Sequence, residues 1–200
     1  MYKGTFSILT RYWKAYGGFK ELICSFYLHI AIIITIITFN TWWNKNWWET
    51  VIEVIPNFLG FTLGGFAIFI SFSNEKFLYI LNQKDNYNDK DEIPYYISLC
   101  ATFVHFIVVQ TISFLYAIIV KSLQFEIPID LSLEFNNFIC YANKISGFIG
   151  YFLFIYGILA MIAATMHVLR IAYMFSAFSQ TMQKKDQDKK SPSNDKKYNQ

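Results

Sequence analysis

The chain has 200 residues, of which 54% are hydrophobic, 20% aromatic and only 16% charged, with a mean hydropathy of +0.31. A soluble domain of this length needs more charge to cover its surface, and no polar stretch is long enough for a separate catalytic domain. The net charge of +3 does not mark a nucleic-acid surface either, because the basic residues do not interleave with aromatics on one face.

Residues 1–21 come first, as an amphipathic interfacial segment. Phe6, Leu9, Trp13 and Tyr16 share a helical face, while Lys3, Arg11 and Lys14 sit elsewhere, a pattern that predicts a helix lying in the headgroups. No small-residue cleavage site follows the first apolar block, so that block is expected to remain as an anchor. Four spans are predicted, at about 22–41, 52–72, 95–120 and 146–170, each long enough to cross a core of about 30 Å. All Lys and Arg except Lys45, Lys121 and Lys144 fall on one side of this arrangement. The positive-inside rule then places both termini in the cytoplasm. The richness in Ile, Phe, Asn and Lys fits a bacterial inner membrane.

The loop after the first span, Trp42 to Trp48, holds four tryptophans and reads as an interfacial belt, with an aromatic ligand cluster as the alternative. In the second span, Glu53, Asn57, Gly60, Gly64 and Ser71 line one helical face, and Gly60 to Gly64 forms a GxxxG. Two readings follow. One is a close helix–helix contact, within a chain or between copies. The other is a pore wall with Glu53 as a carboxylate ring at the outer mouth. Leucine at Gly60 or Gly64 is expected to disturb the protein more than leucine at Gly17 or Gly18. Pro56 is expected to kink the span or loosen its outer turn. Residues 122–145, with Glu126, Pro128, Asp130 and Glu134, are expected to form a short surface helix.

Each remaining span carries one histidine: His29, His105 and His167. An ionisable group inside a membrane is a functional candidate. Interhelical hydrogen bonding is the leading role. A proton or metal role is the alternative, as is haem ligation, for which only His29 and His105 approach a matched depth. Neither a metal site nor a cofactor is expected. Cys24, Cys100 and Cys140 show no paired spacing and read as packing thiols. No GxSxG, HExxH or phosphate-loop motif appears, so no enzyme is expected.

The fourth span has no helix breaker up to about Gln183 and would run about 57 Å at 1.5 Å per residue, well past the bilayer. Ile171, Met174, Phe175, Phe178 and Met182 then form an apolar stripe beyond the membrane. It is the expected contact surface for a cytoplasmic partner protein or another copy, although an extension of span two through Phe77 and Leu81 could also cover it. Residues 184–200 are lysine-rich and expected to be disordered.

The expected fold class is therefore all-α: a four-transmembrane-helix bundle at 22–183 with an N-terminal interfacial helix and a cytoplasmic extension of the last helix. In length, four spans, cytoplasmic termini and extended last helix, the chain resembles the small four-span membrane subunits of bacterial anti-phage systems, such as KwaA of the Kiwa system. That resemblance implies an antiviral-defence sensor or effector that assembles as a homo-oligomer and works through a cytoplasmic partner. It transfers no residue role. An ion channel lined by the second span is the alternative.

Overall fold

The computed structural model describes residues 2–44, 46–71, 75–82, 93–123 and 133–190. All regular structure among them is helical. The order is α1 (Tyr2–Tyr16), α2 (Gly18–Cys24), α3 (Phe26–Ile37), α4 (Phe39–Asn44), α5 (Trp47–Ser71), α6 (Glu75–Leu81), α7 (Tyr95–Ser122) and α8 (Leu133–Lys190). Among the described residues three helices are long and apolar enough to cross a membrane, and α2 with α3 passes the same test as a pair bent by 53°, the shape of a broken span or of a re-entrant loop.

The bend has a local cause. Ser25 leaves the helical region (φ −64°, ψ 121°). Its carbonyl accepts from the amides of Leu28 and His29 and from His29 Nδ1, the last at 2.8 Å. His29 therefore seals the break between α2 and α3, and its ring is otherwise exposed. The segment expected as one span at about 22–41 is thus broken at Ser25 and interrupted again at Thr38. There the hydroxyl donates back to the Ile34 carbonyl at 2.7 Å and so competes with the backbone ladder.

Helices α5, α7 and α8 form the centre, and α3 packs on α8. At one end of the bundle, Trp47, Val51 and Ile55 of α5 bury against Ala117, Val120, Tyr151 and Phe154. At the other, Phe69, Phe77 and Leu81 bury against Leu99, Phe103, Ala163 and Ile171. Ala31 of α3 meets Val109 and Tyr156 between them.

The tryptophans do not form a simple belt. Trp47 is buried at 2% exposure, its ring laid on Gly150, where any Cβ would strike it. Trp42 is half-buried and donates from Nε1 to the Thr35 carbonyl at 2.8 Å. Trp43 alone of the cluster is largely exposed, under the ammonium of Lys144 at 4.2 Å. The glycines explain the difference: Gly147 and Gly150 leave a trough on α8 that a large ring fills.

Helix α8 differs from expectation at both ends. Residues 133–145 are not a separate surface helix but the start of α8, which then continues past Gln183 to Lys190. Glu126, Pro128 and Asp130 lie outside the described residues, as do 84–92 of the linker and 191–200 of the tail. Pro56 sits within an unbroken α5.

Candidate functional site

Three constellations carry chemistry. The first is buried at the centre of the bundle. His105 lies at 4% exposure, with Nδ1 paired to the Tyr12 hydroxyl at 2.9 Å and Nε2 to the Tyr156 hydroxyl at 3.1 Å. A neutral imidazole has one donor and one acceptor nitrogen, and tyrosine serves either. The Tyr16 ring stacks on His105 with centroids 3.9 Å apart. One turn and a half further along α7, the Gln110 amide donates to the Gly157 carbonyl at 3.2 Å and accepts from the Thr62 hydroxyl at 3.2 Å. Gln110 and Ser113 are fully buried. The Ser113 hydroxyl has no partner among the described residues.

This centre redraws the N-terminal segment. Helix α1 is packed on the bundle at its C-terminal half only. Tyr12, Trp13 and Tyr16 turn onto His105 of α7, while Phe6 and Leu9 stay 73% and 51% exposed. Gly17 makes the turn, at φ +104°, with Gly18 also left-handed. Only glycine adopts that region at little cost, and a Cβ on Gly17 would also strike the Glu21 side chain. The expected ranking of glycines therefore reverses for folding of the single chain, since Gly17 is constrained while Gly60 and Gly64 are not.

The histidines play different parts. His105 bridges helices through hydrogen bonds, His29 caps a break, and His167 has a buried Nδ1 with no hydrogen bond among the described residues. His29 and His105 do not offer a haem pair, because both nitrogens of His105 are engaged and His29 is tied to Ser25. No group of three or more His, Cys, Asp or Glu side chains suited to a metal occurs among the described residues. Of the cysteines, Cys100 packs against the core, whereas Cys24 and Cys140 are exposed rather than packed.

The second constellation is the face of α5. Glu53, Asn57, Gly60, Gly64 and Ser71 are all exposed. A Cβ built at Gly60, Gly64 or Gly65 would meet nothing within 4 Å among the described residues. Among the described residues, therefore, no close contact is made on this face. The opposite face of α5 is the packed one, through Val51, Ile55, Thr62 and Phe69.

The third is the stripe on α8. Of the covers expected for it, the extension through Phe77 and Leu81 is the one seen against it. Ile171 is buried; Met174, Phe175 and Phe178 pack beside it, under Phe77 and Leu81 of α6. Phe77 meets Phe175 edge-on at 5.2 Å and Phe178 at 5.6 Å. Met182 is half-buried at the stripe's end. A short helix from the same chain thus covers part of this surface, and Met174, Phe175, Phe178 and Met182 stay half-buried.

Sequence reading missed Gln110, Tyr12 and Tyr156. An amide inside an apolar span is a signal that was there to be used. The tyrosines gave none, because aromatics are spread along the whole chain. No family model, curated protein or solved structure matches the chain.

Proposed function

We propose that this is a non-enzymatic integral membrane protein that works as a homo-oligomer, with α5 as the seam between copies. In this reading α2–α3, α5, α7 and α8 are four spans of a bacterial inner membrane, and both termini face the cytoplasm. The α6–α8 unit carries a signal to or from a cytoplasmic partner, as a membrane sensor or effector of the anti-phage type. The observation that supports it is the open glycine face of α5, beside the exposed Glu53 and Asn57. Lipid is a poor neighbour for a carboxylate and an amide, and small residues let two backbones approach closely.

The test is particle mass in nanodiscs for the native chain and for Gly60→Leu with Gly64→Leu. The substitution should weaken self-association, because a branched side chain holds packed backbones apart, while thermal unfolding of the single chain changes little, since a Cβ at either position meets nothing within 4 Å among the described residues. A native chain that runs as a monomer would sink the proposal.

A second reading uses the same face as a pore wall, favoured by the alignment of Glu53, Asn57 and Ser71 on one exposed surface. Planar-bilayer recording should then show cation-selective current, and Glu53→Gln should reduce the preference for cations. An ion preference untouched by that change removes Glu53 from the filter.

A further inference from the structure

A cleft of about 440 Å³ opens between the α1–α2 turn, the start of α3, and the facing surfaces of α7 and α8. It borders the His105 centre, with which it shares the Tyr16 and Phe106 rings as walls, and it is of the size that holds a small ligand. Its wall is chemically lopsided. Glu21 is its one acidic residue, and no Lys or Arg lines it among the described residues. The chain has 17 Lys and Arg, many of them near this end of the bundle, so a wall without any is informative. Ser98, Thr102 and His167 also line it, and their hydroxyls and imidazole are able to accept hydrogen bonds. So do the rings of Tyr16, Phe26, Tyr27 and Phe106, with Phe26 and Tyr27 edge-to-face at 6.1 Å.

A carboxylate, neutral acceptors and aromatic rings, with no Lys or Arg in the wall among the described residues, make a site for one kind of group. We propose that this cleft binds an alkylammonium. The carboxylate of Glu21 supplies the counter-charge, the ring faces supply cation–π attraction, and the hydroxyls take the ammonium's remaining hydrogens. An anionic ligand is disfavoured, because it would face the Glu21 carboxylate in a wall that holds no Lys or Arg among the described residues. Two sources share the chemistry: the headgroup of phosphatidylethanolamine, and a soluble amine such as a polyamine.

Cys24 gives the readout. It is exposed and lines the cleft, so an occupant should slow its alkylation. The full-length protein is placed in nanodiscs of phosphatidylglycerol alone, or with phosphatidylethanolamine, and treated with a maleimide. Labelling of the Cys24 peptide is followed by mass spectrometry, with exposed Cys140 in the same chain as internal control. Slower labelling with phosphatidylethanolamine identifies the lipid source. Slower labelling only when spermidine is added to the phosphatidylglycerol discs identifies a soluble source. In either case Glu21→Gln, which keeps the side-chain shape, should weaken the protecting amine about tenfold, the loss expected for one charge-assisted hydrogen bond. Glu21→Asp should retain protection. Labelling rates indifferent to both amines overturn the proposal, as does protection that survives Glu21→Gln, or that Glu21→Asp loses as fully. None of these outcomes depends on whether copies associate through α5.

Discussion

Gly150→Val is expected to unfold the Trp47 end of the bundle, and Trp47→Ala in the same chain is expected to recover part of the loss. A Cβ at Gly150 would fall on the Trp47 ring, and one at Gly147 would come within 2.7 Å of the Trp42 carbonyl oxygen. The ring has no easy retreat. Trp47 is 2% exposed and lies nearly parallel to Tyr116 at 6.2 Å, while Trp42 is tied to α3. Overpacking of a filled core costs about 1–3 kcal/mol, and removing a buried tryptophan about 3–5. Each single substitution should therefore lower the thermal midpoint sharply in detergent, followed by circular dichroism. The double substitution replaces one clash and one cavity with a partly filled space. It should be less damaging than the sum of the singles by about 1–3 kcal/mol, the usual coupling of contacting residues. Strictly additive losses would show that Gly150 and Trp47 do not share the contact described.

His105→Phe should release α1. The phenyl ring preserves the stack with Tyr16 but leaves the hydroxyl of Tyr12 without the bond it makes at 2.9 Å. Tyr156 loses its 3.1 Å bond too, but its hydroxyl keeps Tyr16 and Ser25 as partners. A stranded Tyr12 hydroxyl costs about 1–3 kcal/mol if it stays buried, and Tyr12 sits on a short helix hinged at Gly17 and Gly18. Detachment of α1 is the cheaper relief. The measurement is limited trypsinolysis of the membrane-embedded protein, read at Arg11 and Lys14. Cleavage there should speed up by about tenfold or more, following the population of the opened state. His105→Gln, which restores one donor and one acceptor, should slow it again. If His105→Phe leaves cleavage unchanged, the aromatic stacking alone holds α1 and the hydrogen bonds add nothing.

The element plan was legible from the chain because long apolar blocks have few alternatives. A run such as 95–120, with Lys121 just past its end, has to pair its backbone internally, and a helix does so within one segment. The α5 face was legible for the same reason. A helical period places Glu53, Asn57, Gly60 and Gly64 on one side wherever the helix sits. What periodicity leaves open is which way that side turns. The structure turns it outward, with Thr62 and Ile55 inward, because the aromatic and branched residues of α7 and α8 offer more area to bury.

The sequence by itself determined the class of the protein: an all-helical chain with spans of membrane length, a helix running far beyond the last of them, and a small polar face on α5. Local composition and period decide those features. Only the tertiary structure decided which groups meet. It laid α1 on His105, joined Gln110 to Thr62 and Gly157, sank Trp47 onto Gly150, and folded α6 over the α8 stripe. The physical reason is distance along the chain. Tyr12 and His105 are 93 residues apart, and no local propensity couples residues at that range. Their pairing follows from how four helices share one limited interior, where a polar group without a partner is costly and each glycine gap admits a particular ring.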